Sequence, residues 1–179
     1  MKITQLFSIG ILCLMSLAPI VEASEVPAAI NSQDASKTHQ NPMPIATNLQ
    51  TLGQEAIKQN LPIAILFSGK GLKSTEKIKD LALYPALLSG QLDGHVLFTE
   101  IEVNIDADTI DFYGEAMANK EYKALYNLTS LPVVIFVNGE GNALTDPLLS
   151  GAYDYYFFYL KQSINHALKA LNNPNLIPE

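Results

Sequence analysis

Two short, unbroken apolar runs, Ile63-Ala64-Ile65-Leu66-Phe67 and Val133-Val134-Ile135-Phe136-Val137, constrain the fold of this chain more than any other feature. Each is too short for a buried helix, and an apolar residue at every position fits a strand covered on both faces. Before the first run, Leu52, Ala56 and Ile57 have a helical spacing that ends near Asn60. After it, polar Ser68-Gly69-Lys70-Gly71 breaks the strand, and a helical stretch follows from Ser74 or Thr75 through Leu81. Tyr84-Pro85 restarts the chain as a second helical piece. A second strand is predicted from His95 to Val103, then a loop around Asp106 to Gly114 and a helix from about Asn119 to Tyr126. Pro132 opens the third strand, and Asn138-Gly139-Glu140-Gly141 is a turn before a fourth. The last helix runs from about Asp154 to Leu171, with Asp154 placed to cap its free amides. Strands alternating with helices predict an α/β fold, a central mixed sheet of about four strands flanked by helices, with an antiparallel edge from the late hairpin.

The N-terminal residues have a different character. Met1-Lys2 is followed by an apolar run from Leu6 to Leu17 and by Val21-Glu22-Ala23, with compact residues where a signal peptidase cuts. Residues 1–23 are read as a secretory signal peptide; an uncleaved anchor helix is the alternative, although the run is shorter than the ~20 residues a bilayer core requires. Residues 24–47, rich in Ser, Pro, Asn and Gln, are read as a flexible spacer, and 48–179 as the folded domain. The mature protein is therefore expected to be exported: periplasmic in a Gram-negative bacterium, otherwise secreted. It would not be inserted in a membrane after cleavage.

Cys13 is the only cysteine, and it lies in the leader behind bulky Leu12, a poor position for lipidation. The mature chain would carry no thiol and no disulfide, so its stability must come from burial, for which an apolar fraction of 48% is adequate. The formal net charge is −7, and losing Lys2 and Glu22 with the leader leaves it unchanged. An acidic domain repels phosphates, which argues against nucleic acid or an anionic membrane surface as partner.

Particular residues add a resemblance. The stretch from Tyr122 to Val137, YKALYNLTSLPVVIFV, resembles the thioredoxin segment in which a helix ends at a tyrosine, a short loop follows and a proline opens the next strand. The turn at 138–141 and Gly151-Ala152-Tyr153 before an amphipathic helix resemble the family's later hairpin and closing helix. Asp111-Phe112-Tyr113-Gly114 and Asn119-Lys120-Glu121 resemble the insertion of the SoxW-like group of exported thioredoxin-related proteins. The resemblance spans Leu52 to Leu171 and implies a thioredoxin-like fold with a cis Leu131-Pro132 bond. It also places Leu72-Lys73-Ser74-Thr75 where the family has Cys-x-x-Cys. Thiol–disulfide exchange starts with a thiolate attacking sulfur, and neither leucine, serine nor threonine supplies one. The chain is therefore expected to be redox-inactive and not itself a dithiol oxidoreductase.

Other chemistry finds little support. Gly69-Lys70-Gly71-Leu72-Lys73-Ser74-Thr75 lacks the glycine spacing of a phosphate-binding loop; a solvated, helix-capping loop explains it more simply than an anion site at Lys70 and Lys73. Asp106, Asp108 and Asp111 lack the glycine and closing glutamate of a calcium loop. His39, His95 and His166 have no zinc-ligand spacing, and no serine-nucleophile elbow is present. No metal or other cofactor is expected.

The reading that remains is a protein- or peptide-binding module. Its groove would combine Leu72, Lys73, Ser74 and Thr75 with the loop Thr129, Ser130, Leu131 and Pro132, whose backbone would hold an extended partner. Two alternatives are a redox-pathway protein that depends on a partner's cysteines and a structural envelope component. The aromatic cluster Tyr153, Tyr155, Tyr156, Phe157, Phe158 and Tyr159 can bury only about half its rings on one helix face, and the remainder could pair two copies of the chain.

Overall fold

The computed structural model describes residues 42–178. The expected signal peptide and most of the expected spacer lie outside the described residues. Helix α1 (Leu49–Gln59) starts where the Asn48 side chain accepts a hydrogen bond from the Thr51 amide at 2.9 Å, and it ends on Asn60 in the left-handed conformation. Strand β1 (Ile63–Ser68) leads into α2 (Lys73–Ile78), a π-helical turn (Lys79–Leu83) and α3 (Tyr84–Leu88). Then come β2 (Leu97–Glu102), β3 (Asp108–Ile110), β4 (Ala116–Ala118), a 3-10 turn (Asn119–Glu121) and α4 (Tyr122–Leu125). Strands β5 (Val133–Val137) and β6 (Leu148–Leu149) precede the closing helix α5 (Tyr153–Ala170).

The main sheet has the order β2-β1-β5-β6, with β1 parallel to β2 and antiparallel to β5, and β6 antiparallel to β5. The two apolar runs are its central strands, and their side chains divide by the two-residue period of a strand. Ala64, Leu66, Val134 and Phe136 pack with Ile78, Leu83, Tyr156, Leu160 and Ile164. Ile63, Ile65, Phe67, Val133, Ile135 and Val137 pack with Leu49, Ala56 and Tyr122. Both faces are thus covered, and each such large side chain taken fully out of water contributes roughly 1.5–3 kcal/mol before entropy.

Several expectations are corrected. The domain begins before residue 48: Met43 is fully buried, the Glu100 amide donates to the Pro44 carbonyl at 3.0 Å, and the Ala46 amide donates to the Glu100 carbonyl at 2.8 Å. Residues 43–47 thereby pair with the outer edge of β2, whose backbone groups would otherwise lack partners. The loop expected at Asp106 to Gly114 is instead the first half of the β3–β4 hairpin, in which Thr109 faces Met117. Asp111 Oδ1 organises its turn by accepting from the amides of Tyr113 (2.8 Å) and Glu115 (2.9 Å). Asp154 does not cap α5; Ala152 precedes the helix at φ 44° without a side-chain cap. Asp154 sits in the first turn, where its charge still complements the helix dipole. Tyr156 is buried, whereas Tyr155, Phe158 and Tyr159 are exposed.

Gly53 is required by close packing. A methyl group on Gly53 would collide with the Gly139 carbonyl oxygen, where α1 meets the turn after β5. Alanine gains up to about 1 kcal/mol of helix propensity, but overpacking against backbone costs about 1–3 kcal/mol. Gly53→Ala is therefore expected to lower stability in urea unfolding despite lying inside a helix.

Candidate functional site

The loop after β1 is held by backbone geometry and by one side chain from the neighbouring strand's end. Gly71 turns the chain at φ 76°, a conformation that glycine adopts without strain. The Lys70 amide donates to Asn104 Oδ1 at 2.7 Å, and Asn104 Nδ2 donates back to the Lys70 carbonyl at 3.0 Å. Leu72 is the residue immediately before α2, and its side chain folds over Gly69, close enough that a Cβ there would stand 2.5 Å from Leu72 Cδ1. Leu72 nevertheless remains 38% exposed. Thr75 points inward, 4% exposed, and its Oγ1 accepts from the Gly69 amide at 3.3 Å. Lys73 and Ser74 are exposed on the first turn of α2.

The second predicted segment lies next to this loop. Phe67 pairs with Val133, so Pro132, the residue before β5, enters the sheet beside the end of β1. The Leu131-Pro132 peptide is cis. Pro132 is buried, Leu131 half-buried, and Thr129 and Ser130 are exposed. Among the described residues, Thr129, Ser130 and Leu131 make no hydrogen bond, through backbone or side chain. The structure thus brings the two predicted segments to one end of the sheet. It gives them an exposed apolar residue, Leu72, and a run of unpaired backbone donors and acceptors.

Beneath this end lies a polar cluster that the sequence reading did not identify. Glu100 in β2 is fully buried; its Oε1 accepts from Ser68 Oγ at 2.5 Å and pairs with Lys79 Nζ at 2.6 Å. Its Oε2 has no hydrogen-bond partner among the described residues. Lys79 opens the π-helical turn, a local departure from α geometry that is frequent at functional sites. Burial pushes the Tyr84 phenol above its ordinary value, while the Lys79 ammonium beside it pulls the other way. The available signal in the sequence was a carboxylate in the middle of an apolar strand.

The remaining candidates are kept apart. No group of three His, Cys, Asp or Glu side chains comes together among the described residues as a metal site would need. His95 Nδ1 lies 2.9 Å from the Asn175 carbonyl, a contact to the C-terminal segment. No helix among the described residues is long and apolar enough to cross a membrane.

No protein-family model matches the chain, and no curated protein matches it in sequence. Solved structures do match in shape. DsbH, an oxidoreductase by name, superposes with a TM-score of 0.51 at 20% identity, over 68% of this chain and 85% of DsbH. Thioredoxin O2 from Arabidopsis thaliana gives a TM-score of 0.44 at 10% identity, over 68% of this chain and 94% of that one. A thioredoxin-fold protein from Helicobacter pylori gives 0.38 at 13% identity, over 62% and 81%. At such identities the likeness is one of fold: the four-stranded mixed sheet with helices on both faces is a thioredoxin-like fold.

Proposed function

We propose that this chain is an exported, redox-inactive thioredoxin-fold protein that binds an extended peptide or protein segment, akin to the SoxW-like group but without its dithiol. The observation that carries the reading is the unpaired backbone of Thr129, Ser130 and Leu131 beside exposed Leu72, at the place where thiol chemistry would otherwise occur. An extended partner can satisfy such a backbone as an added strand does, and an apolar side chain gives it a contact in place of a reactive sulfur. The residues assigned to this groove are Leu72, Lys73, Ser74 and Thr75 with Thr129, Ser130, Leu131 and Pro132. No catalytic residue, metal or cofactor is assigned.

Pull-down from an envelope extract is the first test. Wild type is expected to recover a partner that Leu72→Asp and Pro132→Ala lose; equal recovery of every partner by all three proteins would count against the groove. The second reading, a protein acting in a redox pathway through a partner's cysteines, draws on the fold shared with DsbH. It predicts that the recovered partner carries a redox-active cysteine pair. Both readings expect no insulin reduction by the purified chain alone, and any such activity would reject them.

A further inference from the structure

Helix α5 presents to solvent a face whose two halves differ. The N-terminal half is aromatic: Tyr155 is 68%, Phe158 52% and Tyr159 45% exposed. The rings of Phe158 and Tyr159 meet edge-on with centroids 5.5 Å apart, which makes them one preformed ridge. The C-terminal half is a small hollow of about 110 Å³, lined by Phe158, Gln162, Asn165 and Lys169 together with Pro178 of the C-terminal segment. Hydrogen bonds build its wall. Asn165 donates to the Ile177 carbonyl at 2.9 Å and accepts from the Ile177 amide at 2.8 Å, and Lys161 Nζ donates to the Pro178 carbonyl at 3.1 Å.

Charge divides the same way. Asp154 is the acidic residue of the helix's first turn, and Lys169 is the basic residue of its last. Both are exposed, and neither has an ion-pair partner among the described residues. Asp154, Phe158, Gln162, Asn165 and Lys169 follow one another at intervals of three or four, so they form one stripe along the helix. That stripe passes from acidic and aromatic at one end to concave and basic at the other.

We propose that this face pairs with a second copy of the chain, the two α5 helices lying antiparallel about a two-fold axis between Lys161 and Gln162. A two-fold interface sets residue i against j and j against i, so it requires a surface complementary to itself. Here the pairing sets Asp154 of one copy against Lys169 of the other and Phe158 against Asn165, each of them twice. A crossing angle near ~20° keeps the stripes in contact along the helices. The aromatic ridge of each copy then lies on the hollow of the other, where its rings leave water. The charged ends fix the direction, because parallel helices would bring like charges together. One helix pair is a small interface, and it predicts a dimer that is half-formed at about 10–100 μM chain. This surface does not depend on the peptide-groove reading.

Sedimentation equilibrium of the full chain and its variants tests the pairing. Asp154→Lys and Lys169→Asp should each weaken association about tenfold or more, because each sets two pairs of like charges together. Combining the two substitutions should restore it. These positions are exposed, so the fold tolerates the changes. In a Cys13→Ser background, Gln162→Cys stands beside the axis and should cross-link to its own copy on oxidation. Tyr155→Cys, roughly 20 Å from its own copy along the helices, should not. A chain that stays monomeric up to about 1 mM leaves the face to a different occupant and overturns the proposal. Association unchanged by either charge reversal, a combined variant no tighter than the single ones, or equal cross-linking at positions 155 and 162 overturns it as well.

Discussion

Replacing Lys79 with methionine is expected to destabilise the domain by about 3–5 kcal/mol, the range for removing one partner of a buried ion pair. The Lys79 side chain is 15% exposed and that of Glu100 is fully buried, so the pair is nearly sealed from water and its 2.6 Å contact is poorly screened. Without Lys79, the carboxylate keeps only Ser68 as a side-chain donor, while Oε2 is already unpartnered among the described residues. Partial exposure of Lys79 allows some water to reach the site, which places the effect toward the lower end of the range. The double variant Lys79→Met, Glu100→Gln should be distinctly more stable than the single one, because no uncompensated charge remains inside. Urea unfolding of the four proteins of this cycle measures the coupling. A Lys79→Met loss below about 0.5 kcal/mol would mean that the pair behaves as a surface salt bridge.

Introducing two thiols is expected to confer dithiol-reductase activity on the chain. In a Cys13→Ser background, Leu72→Cys with Thr75→Cys is expected to form an intramolecular disulfide and to reduce insulin, with neither single variant active. The geometry favours this outcome. Leu72 precedes the first residue of α2 and Thr75 lies inside that turn, where positions three apart face one another. The free amides of a helix start lower a thiol's pKa and raise the thiolate fraction at neutral pH. The Gly69 amide, which now donates to Thr75 Oγ1 at 3.3 Å, would be beside the second sulfur. Thiol titration and mass spectrometry establish whether the disulfide forms. A double variant that closes the disulfide yet reduces no insulin would show that more than the sulfur atoms is missing from this site.

The parts of this architecture legible in the sequence are those that pattern alone determines. Strands β1 and β5 announce themselves because residues 63–67 and 133–137 are apolar at every position, and the turn after β5 does so through Asn138 and its glycines, with Asn138 Oδ1 accepting from the amides of Glu140 and Asn142. The β3–β4 hairpin is not legible: Asp108-Thr109-Ile110 and Ala116-Met117-Ala118 are each too short for an alternation to be counted, and alanine is a weak strand former. The edge segment at 43–47 is hidden for another reason. Its pairing with β2 is a tertiary event, and Met43 stands as one apolar residue between two prolines. At the candidate site, Leu72, Thr75 and Pro132 can be found by resemblance, but Lys79 meets Glu100 only once the π-helical turn and the sheet are assembled.

Hydrogen–deuterium exchange on the complex recovered from an envelope extract tests the binding groove most directly. The amides of Ser130 and Leu131, exposed to solvent exchange in the free chain, should become protected together with those of residues 69–75. No partner recovered, or protection confined to the exposed aromatic face of α5 around Tyr155, Phe158 and Tyr159 with residues 129–131 unchanged, would contradict the account.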